Sequence, residues 1–239
     1  MKQTLAIAKR EITALFYSPI AYVVLGLFSL GTSLIFLGFF RPGDAATLRD
    51  TYFWVIWLMI FLVPAISMRL ISDEFRNGTI ELLMTAPVHD GQVVLGKWLG
   101  ALGFFAVLLL PLVVFAGVLT ATSRPDFGPI LSGLIGLILT GGFFLAIGAL
   151  ASASTQNQII SFLLAVGIVS LFTFVTFFLP KTTYVPDDVR QVLNYCNVNA
   201  EFDNFNKGVI DWPNLVFYLS GIAFFLFVAT QVLQSRRWR

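Results

Sequence analysis

Residues 127–180 read FGPILSGLIGLILTGGFFLAIGALASASTQNQIISFLLAVGIVSLFTFVTFFLP and contain no charged side chain. A helix needs about 20 apolar residues to cross the hydrocarbon core of a membrane, so this run is too long for one crossing and long enough for two. The polar cluster Ser152–Gln158 lies in its middle and predicts a tight turn between two helices. The run therefore predicts a membrane hairpin.

The rest of the chain has the same apolar character. Of its 239 residues, 57% are hydrophobic and 12% are charged, and the mean hydropathy is +0.85. Soluble domains carry about 25% charged residues, so this composition indicates a chain whose solvent is lipid. The apolar runs are continuous rather than alternating, which disfavours a strand barrel. We therefore predict a single all-α integral membrane domain over residues 1–239.

Six apolar stretches are long enough to span a membrane. They are Ile20–Phe40, Tyr52–Met68, Trp98–Ala121, Ile130–Ala153, Ile159–Leu179 and Leu215–Leu233. With both termini in the cytoplasm, nine Lys and Arg residues lie on the inner side and six on the outer side. The excess favours this orientation in a cell inner membrane. Basic and aromatic residues at the span ends are predicted membrane anchors: Lys97, Trp98, Arg236, Arg237 and Trp238.

The segment 1–18 precedes the first span. Its apolar residues recur at helical spacings of three and four, and its basic residues occupy the other face. This pattern predicts an amphipathic helix on the inner membrane surface that ends at Ser18-Pro19; the alternative is a disordered basic leader. The apolar positions are Leu5, Ala8, Ile12, Leu15 and Phe16.

Two loops between spans are longer than simple connections. The cytoplasmic loop 69–97 contains a glycine break at Gly78, a short helical stretch Thr79–Thr85 and a terminating Pro87. A short helix between two spans can act as a lever, although a plain surface connection remains an alternative. The outer loop 180–214 mixes charges with aromatic residues, which favours short helices that enter the outer leaflet over a simple lid.

Chemistry-bearing residues are sparse, and we predict no catalytic, cofactor-binding or metal site. Cys196 and His89 are the single cysteine and histidine, and the net charge of +2 gives no basic face for nucleic acid. Ion-coupled carriers and membrane enzymes keep ionisable groups at membrane depth, and the six spans have essentially none.

Small residues in the spans predict close helix packing. Glycines recur along the fourth span at Gly133, Gly136, Gly141, Gly142 and Gly148, and Gly96 and Gly100 have the small-xxx-small spacing at the third. The sequence leaves open whether they pack within the chain or against another subunit. A membrane body with a cytoplasmic lever and no energy source suggests half of an externally driven transporter. The alternatives are an assembly scaffold and, less favoured, a passive channel or ion-coupled carrier.

Several stretches resemble ABC-2 type transporter permeases, and among them the gliding-motility (GldF) and nitrous-oxide-reductase-maturation (NosY) permeases. The similar positions, in chain order, are Lys9-Arg10-Glu11, Ser18-Pro19, Pro64–Arg69, Glu74, Gly78–Val88, Val94–Lys97, Glu201–Phe202, Phe205, Lys207–Asp211 and Tyr218. The resemblance implies a non-enzymatic exporter subunit in a bacterial inner membrane. The implied partners are a second copy or a related permease, cytoplasmic ATPase subunits that bind ATP and Mg, and a periplasmic accessory subunit.

The resemblance also implies roles for particular segments. Residues 74–87 would form the coupling helix that docks into the ATPase, the segment 1–18 would be the connecting helix, and the outer loop would form re-entrant helices. The ATPase-coupling residues would be Glu74, Arg76, Gly78, Thr79, Glu81, Leu82, Leu83 and Pro87. Acidic residues outnumber basic ones in this segment, which predicts docking on a basic ATPase surface.

Overall fold

A computed structural model of the chain describes residues 2–41, 47–78, 89–182 and 185–236. Within these ranges the regular structure is helical, with no strand. The α-helices are α1 (Lys2–Phe16), α2 (Pro19–Phe39), α3 (Arg49–Ser67), α4 (Ser72–Arg76), α5 (Asp90–Leu108), α6 (Leu110–Thr122), α7 (Phe127–Ser154), α8 (Gln158–Ser170), α9 (Thr176–Phe178), α10 (Asp187–Tyr195), α11 (Val198–Asn206) and α12 (Trp212–Arg236).

Six stretches of the described chain are long and apolar enough to cross a membrane. They are Pro19–Phe39, Arg49–Arg76, Asp90–Thr122, Phe127–Ser154, Gln158–Lys181 and Trp212–Ser235. Each overlaps one predicted span, so the all-α membrane fold with six spans is confirmed. The predicted hairpin is also confirmed, because α7 ends at Ser154 and α8 begins at Gln158 after an Asn157 cap.

Helix α7 lies at the centre of the bundle and packs against α3, α5, α8, α11 and α12. Four of its glycines each face a side chain of another helix so closely that an added Cβ would lie less than 3.0 Å from it. The close approach that the glycines predict is therefore internal to the chain at these positions. The facing side chains are Tyr52 at Gly133, Phe202 and Phe205 at Gly136, Phe105 at Gly141, and Ser67 at Gly148.

Two spans are less regular than the sequence predicts. The third is two helices rather than one, because α5 ends at Leu108 and α6 begins at Leu110 with Pro111 in its first turn. Proline has no N–H to donate to the preceding turn, so the helix breaks there. The fifth span contains a π-helical segment, Leu171–Val175, between α8 and α9. Hydropathy is high on both sides of each irregularity and does not reveal it.

The loop 180–214 contains the helices α10 and α11, so short helices are present where the sequence predicts them. The two differ in burial, because α10 has no buried residue whereas Val198, Phe202 and Phe205 of α11 are buried. Asn197 caps α11 through its Oδ1 and donates from Nδ2 to the Thr176 carbonyl at 3.1 Å. Helix α11 is therefore tied to the end of the fifth span. The location of the loop outside the cell stays a prediction.

Glu201 of α11 makes one pH-dependent contact at this end of the bundle. Burial raises the pKa of its carboxyl, and a hydrogen bond from Asn214 Nδ2 to Glu201 Oε2 at 2.6 Å opposes part of the rise. A carboxyl whose pKa is higher in the folded state loses stabilisation as pH rises through that pKa. We therefore expect Glu201→Gln to raise the thermal midpoint at pH 8 and to have no effect at pH 4. Equal midpoint shifts at both pH values would contradict the titration of Glu201.

Candidate coupling site

Helix α1 packs side by side with the first half of α5, and the two run in the same direction. Gly96 of α5 faces Thr4 and Ile7, and Gly100 faces Ala8 and Glu11. A Cβ at Gly100 would lie 2.6 Å from the Glu11 Cβ, so only glycine permits this separation between the helices. The small-xxx-small pair thus has its partner in the same chain.

The packed face of α1 agrees with the predicted apolar face at Ala8 and Leu15 and differs from it at the beginning of the helix. The helix itself is present, but Leu5 is 63% exposed, whereas the small polar residue Thr4 is buried together with Ala8 and Leu15. Small side chains lie against the α5 glycines because the two helix backbones are close there. The position of α1 relative to a membrane surface stays a prediction.

A cluster of four charges joins α1, α4 and α5. Lys97 of α5 has a side chain that is only 3% exposed, and its Nζ lies 2.6 Å from Glu11 Oε1 and 2.9 Å from Glu74 Oε1. Both carboxylates are 13% exposed. A buried ammonium is tolerated only when anions surround it. Lys97 therefore binds both carboxylates at the point where the three helices meet.

Arg10 completes this four-charge cluster at its solvent side. Its Nη2 lies 3.2 Å from Glu74 Oε1 and 3.5 Å from Glu11 Oε1, and its side chain is 58% exposed. Two cations thus face two anions, which leaves the cluster close to neutral. Charge balance limits the desolvation penalty of placing four ionised groups together.

A second set of polar contacts fixes α4 to the α7–α8 hairpin. Ser152 Oγ accepts from the backbone N–H groups of Ile71 and Ser72 at 2.9 and 3.0 Å, and it donates to the Met68 carbonyl at 3.0 Å. Gln158 Nε2 donates to Asp73 Oδ1. The start of α4 is therefore held by hydrogen bonds from a neighbouring pair of spans.

Arg69 ties the same region to the beginning of α2. Its Nη1 donates to Ser18 Oγ at 2.5 Å, and its Nε lies 3.6 Å from Asp73 Oδ2. Asp73 and Glu74 are thus both engaged within the chain. Docking of this region on a basic ATPase surface stays a prediction.

The predicted coupling residues divide into a described and an undescribed group. Glu74 belongs to the four-charge cluster, Arg76 is exposed at the end of α4, and Gly78 has a φ of +68°. This left-handed conformation favours glycine and ends the helical stretch, as the sequence predicts for the break. The other predicted residues lie outside the described part of the chain: Thr79, Glu81, Leu82, Leu83 and Pro87.

The predicted anchors at the start of the third span have protein partners. Helix α5 begins at Asp90, so Lys97 lies about two turns inside it rather than ahead of the span. Trp98 Nε1 donates to the Gly142 carbonyl of α7 at 2.9 Å. The anchoring role of these two residues stays a prediction. The side chain of Arg236, and Arg237 and Trp238 entirely, lie outside the described part of the chain.

Arg10 and Glu11 are the residues of the cluster for which the sequence predicts no site role, and Glu11 is the buried one of the two. It lies on the same face of α1 as Thr4, Ala8 and Leu15, because the spacings of four, three and four return to one side of a helix. An acidic residue on the packed face of a helix signals a buried cation elsewhere. That signal identifies Glu11 but not its partner.

Among the described residues, no group of three or more His, Cys, Asp or Glu side chains lies close enough to hold an ion. The arrangement can transmit a displacement, since one short helix is attached by charge to α1 and α5 and by hydrogen bonds to the α7–α8 hairpin.

Comparison with known proteins identifies the family. The comparison with curated proteins gave no match. The family model described as ABC-2 family transporter protein matches residues 42–197, which is more than half of the chain. The matched region contains α3 to α10 and therefore Glu74, Lys97 and the α7–α8 hairpin. The chain belongs to the ABC-2 family of transporter proteins and is a membrane permease subunit of an ABC transporter.

Proposed function

We propose that this chain is the permease of an exporter that a separate cytoplasmic ATPase drives through residues 74–87. The observation that carries the proposal is the four-charge cluster, because it attaches Glu74 at the beginning of that segment to both α1 and α5. Family membership supports the proposal, since the subunits of this family work with ATPases as a rule.

The contacts of α4 suggest how movement would spread. A push on the chain beyond Gly78 would displace α4, which is only five residues long. Glu74 would pass the displacement to Lys97 on α5 and to Arg10 on α1. Ile71 and Ser72 would pass it to Ser152 at the end of α7. Packed helices shift as rigid bodies, so a small displacement at α4 would rock several spans together.

Further parts of the proposal follow the resemblance to GldF and NosY permeases. The chain pairs with a second copy or a related permease in a bacterial inner membrane, with both termini in the cytoplasm. ATP and Mg bind to the ATPase, and this chain contributes no catalytic group. A periplasmic accessory subunit could complete the complex.

A charge introduced at Leu82 tests the coupling segment. We expect Leu82→Arg to reduce the stimulation of ATP hydrolysis by the permease at least about tenfold, because a strongly hydrated side chain would replace an apolar contact with the ATPase. The measurement compares the ATP turnover of the ATPase alone with that of the complex of ATPase and permease reconstituted in lipid vesicles. Unchanged stimulation would contradict the assignment of residues 74–87 as the coupling segment.

The matched control for Leu82→Arg places the same charge at the other end of the bundle. Val209 is 47% exposed and lies in the predicted outer loop, so Val209→Arg should leave ATPase stimulation unchanged. Both variants should insert into the membrane in equal amounts. Co-purification of an ATPase whose turnover does not respond to the wild-type permease would favour the scaffold alternative.

A further inference from the structure

The chain directly after α4 contains a chemically reactive pair of residues. Asn77 is followed by Gly78, and no other asparagine of the 239-residue sequence precedes a glycine. Asparagine is among the labile residues of proteins, because the next backbone nitrogen can reach its side-chain carbonyl carbon and close a five-membered ring. A following glycine resists this closure least, since it has no Cβ.

The structure leaves this pair open to reaction. Asn77 and Gly78 are both exposed, and the Asn77 side chain makes no hydrogen bond to another described residue. A Cβ built on Gly78 would have no described atom within 4 Å, so the space around its nitrogen is free of packed side chains. Neither a protein contact nor burial therefore holds the amide of Asn77 away from the Gly78 nitrogen.

The backbone at Asn77 can also rotate without unwinding α4. Asn77 follows the last residue of the helix and has φ −90° and ψ 0°. Its own N–H donates to the Asp73 carbonyl at 2.9 Å, and a rotation about ψ of Asn77 does not move that N–H. The Gly78 N–H donates to the Phe75 carbonyl at 3.4 Å, which is longer than a typical backbone hydrogen bond. Bringing the Gly78 nitrogen to the amide carbon therefore breaks one weak bond.

We propose that Asn77 is a site of spontaneous deamidation, at which the chain modifies itself. The Gly78 nitrogen loses its proton and forms a bond to Asn77 Cγ, the Cγ–Nδ2 bond breaks, and Nδ2 leaves as ammonia. The succinimide then adds water at one of its two carbonyls. Opening at Cγ gives aspartate at position 77, and opening at the backbone carbonyl gives isoaspartate, whose main chain runs through Cγ.

Both products destabilise α4. The new carboxylate lies at the C-terminal end of the helix, where the helix dipole disfavours an anion. It also lies four residues after Asp73, and like charges at this spacing repel each other. Isoaspartate adds one further atom to the main chain between α4 and residues 79–87. The effect on coupling rests on the proposed function: a weakened α4 passes less displacement from that segment to Glu74.

The test incubates the full chain, purified in detergent, at 37 °C and follows each asparagine by peptide mapping and mass spectrometry. Asn194 is the internal comparison, because it is exposed but precedes tyrosine within α10. We expect Asn77 to convert at least about tenfold faster than Asn194, a difference of about 1.4 kcal/mol in activation free energy. The rate should rise from pH 6 to pH 9, because the attacking nitrogen must lose its proton. Equal conversion of the two asparagines, or a rate that does not rise with pH, would overturn the proposal.

Two variants separate the reaction from its effect on α4. Asn77→Gln keeps an amide but would have to close a six-membered ring, so it should stay unmodified over the same interval. Asn77→Asp carries the charge of the product from the start. We expect the backbone amides of α4, corrected for their intrinsic rates, to exchange hydrogen at least about threefold faster in Asn77→Asp than in Asn77→Gln. Equal exchange would overturn the predicted effect on the helix. These measurements use neither ATP nor the ATPase, so their outcome is independent of the coupling proposal.

Discussion

Replacement of Lys97 by methionine should lower the free energy of unfolding by about 3 kcal/mol, because it leaves two largely buried carboxylates without their central cation. Glu11 and Glu74 are each 13% exposed, so water cannot fully replace the ammonium. The value lies at the lower end of the range for a broken buried pair because Arg10 remains 3.2 Å from Glu74. Thermal unfolding of the purified chain should show a midpoint about 6–12 °C below that of the wild type.

The control for Lys97→Met uses a lysine in an exposed ion pair. Lys207 pairs with Asp203, and the two side chains are 56% and 53% exposed. Exposed pairs contribute at most about 1 kcal/mol, so Lys207→Met should shift the midpoint by no more than a few degrees. Equal shifts for the two methionine variants would show that the four-charge cluster is not buried in the protein.

Neutralising the partners of Lys97 should restore most of the lost stability. The triple variant Lys97→Met, Glu11→Gln and Glu74→Gln has no buried charge left without a counter-charge. Replacing a buried ion pair by uncharged groups of similar volume is often close to neutral. Recovery of the midpoint in the triple variant would assign the loss in Lys97→Met to uncompensated charge. A further decrease would assign it to lost packing of the lysine stem instead.

Lys97 also shows how far sequence reasoning reaches. The spans were predictable because a segment in lipid must form all its backbone hydrogen bonds within its own helix and must carry apolar side chains over the whole crossing. Hydropathy measures the length of that apolar run directly. A lysine next to such a run is usually exposed at the membrane boundary, which is why the sequence predicts Lys97 as an anchor. Its burial depends on Glu11 and Glu74, which lie far from it in the chain. Pairings of this kind follow from helix packing and not from local composition.

The same distinction applies to the polar residues at the opposite end of the bundle. The sequence predicts short helices in the loop 180–214, and α10 and α11 lie there. The neighbouring π-helical segment and the hydrogen bond from Asn197 to the Thr176 carbonyl were not predictable. An asparagine in a loop gives no indication of which carbonyl it will bind, and π-helical turns have no composition of their own in an apolar run.

Gly148→Ala is the second large effect, with an expected loss of about 2 kcal/mol in the free energy of unfolding. An added Cβ would lie 1.8 Å from Ser67 Oγ and 2.4 Å from Ser67 Cβ, so α3 and α7 would have to move apart. Overpacking of a tight helix contact typically lowers stability by about 1–3 kcal/mol. The loss should appear even though alanine favours a helix by about 1 kcal/mol over glycine.

Gly167→Ala supplies the matched comparison, because Gly167 also lies within a helix, α8, but has nothing within 4 Å of an added Cβ. Alanine should therefore stabilise the protein slightly at this position. Ser67→Gly removes the atoms that an alanine at position 148 would meet, so the double variant Gly148→Ala, Ser67→Gly should be more stable than the sum of the two single changes predicts. Two outcomes would mean that α3 and α7 do not make this contact. One is that the free-energy changes of Gly148→Ala and Ser67→Gly simply add, and the other is that Gly148→Ala is tolerated as well as Gly167→Ala. Rescue would show that positions 67 and 148 meet in the folded protein, as the packing of α3 on α7 requires.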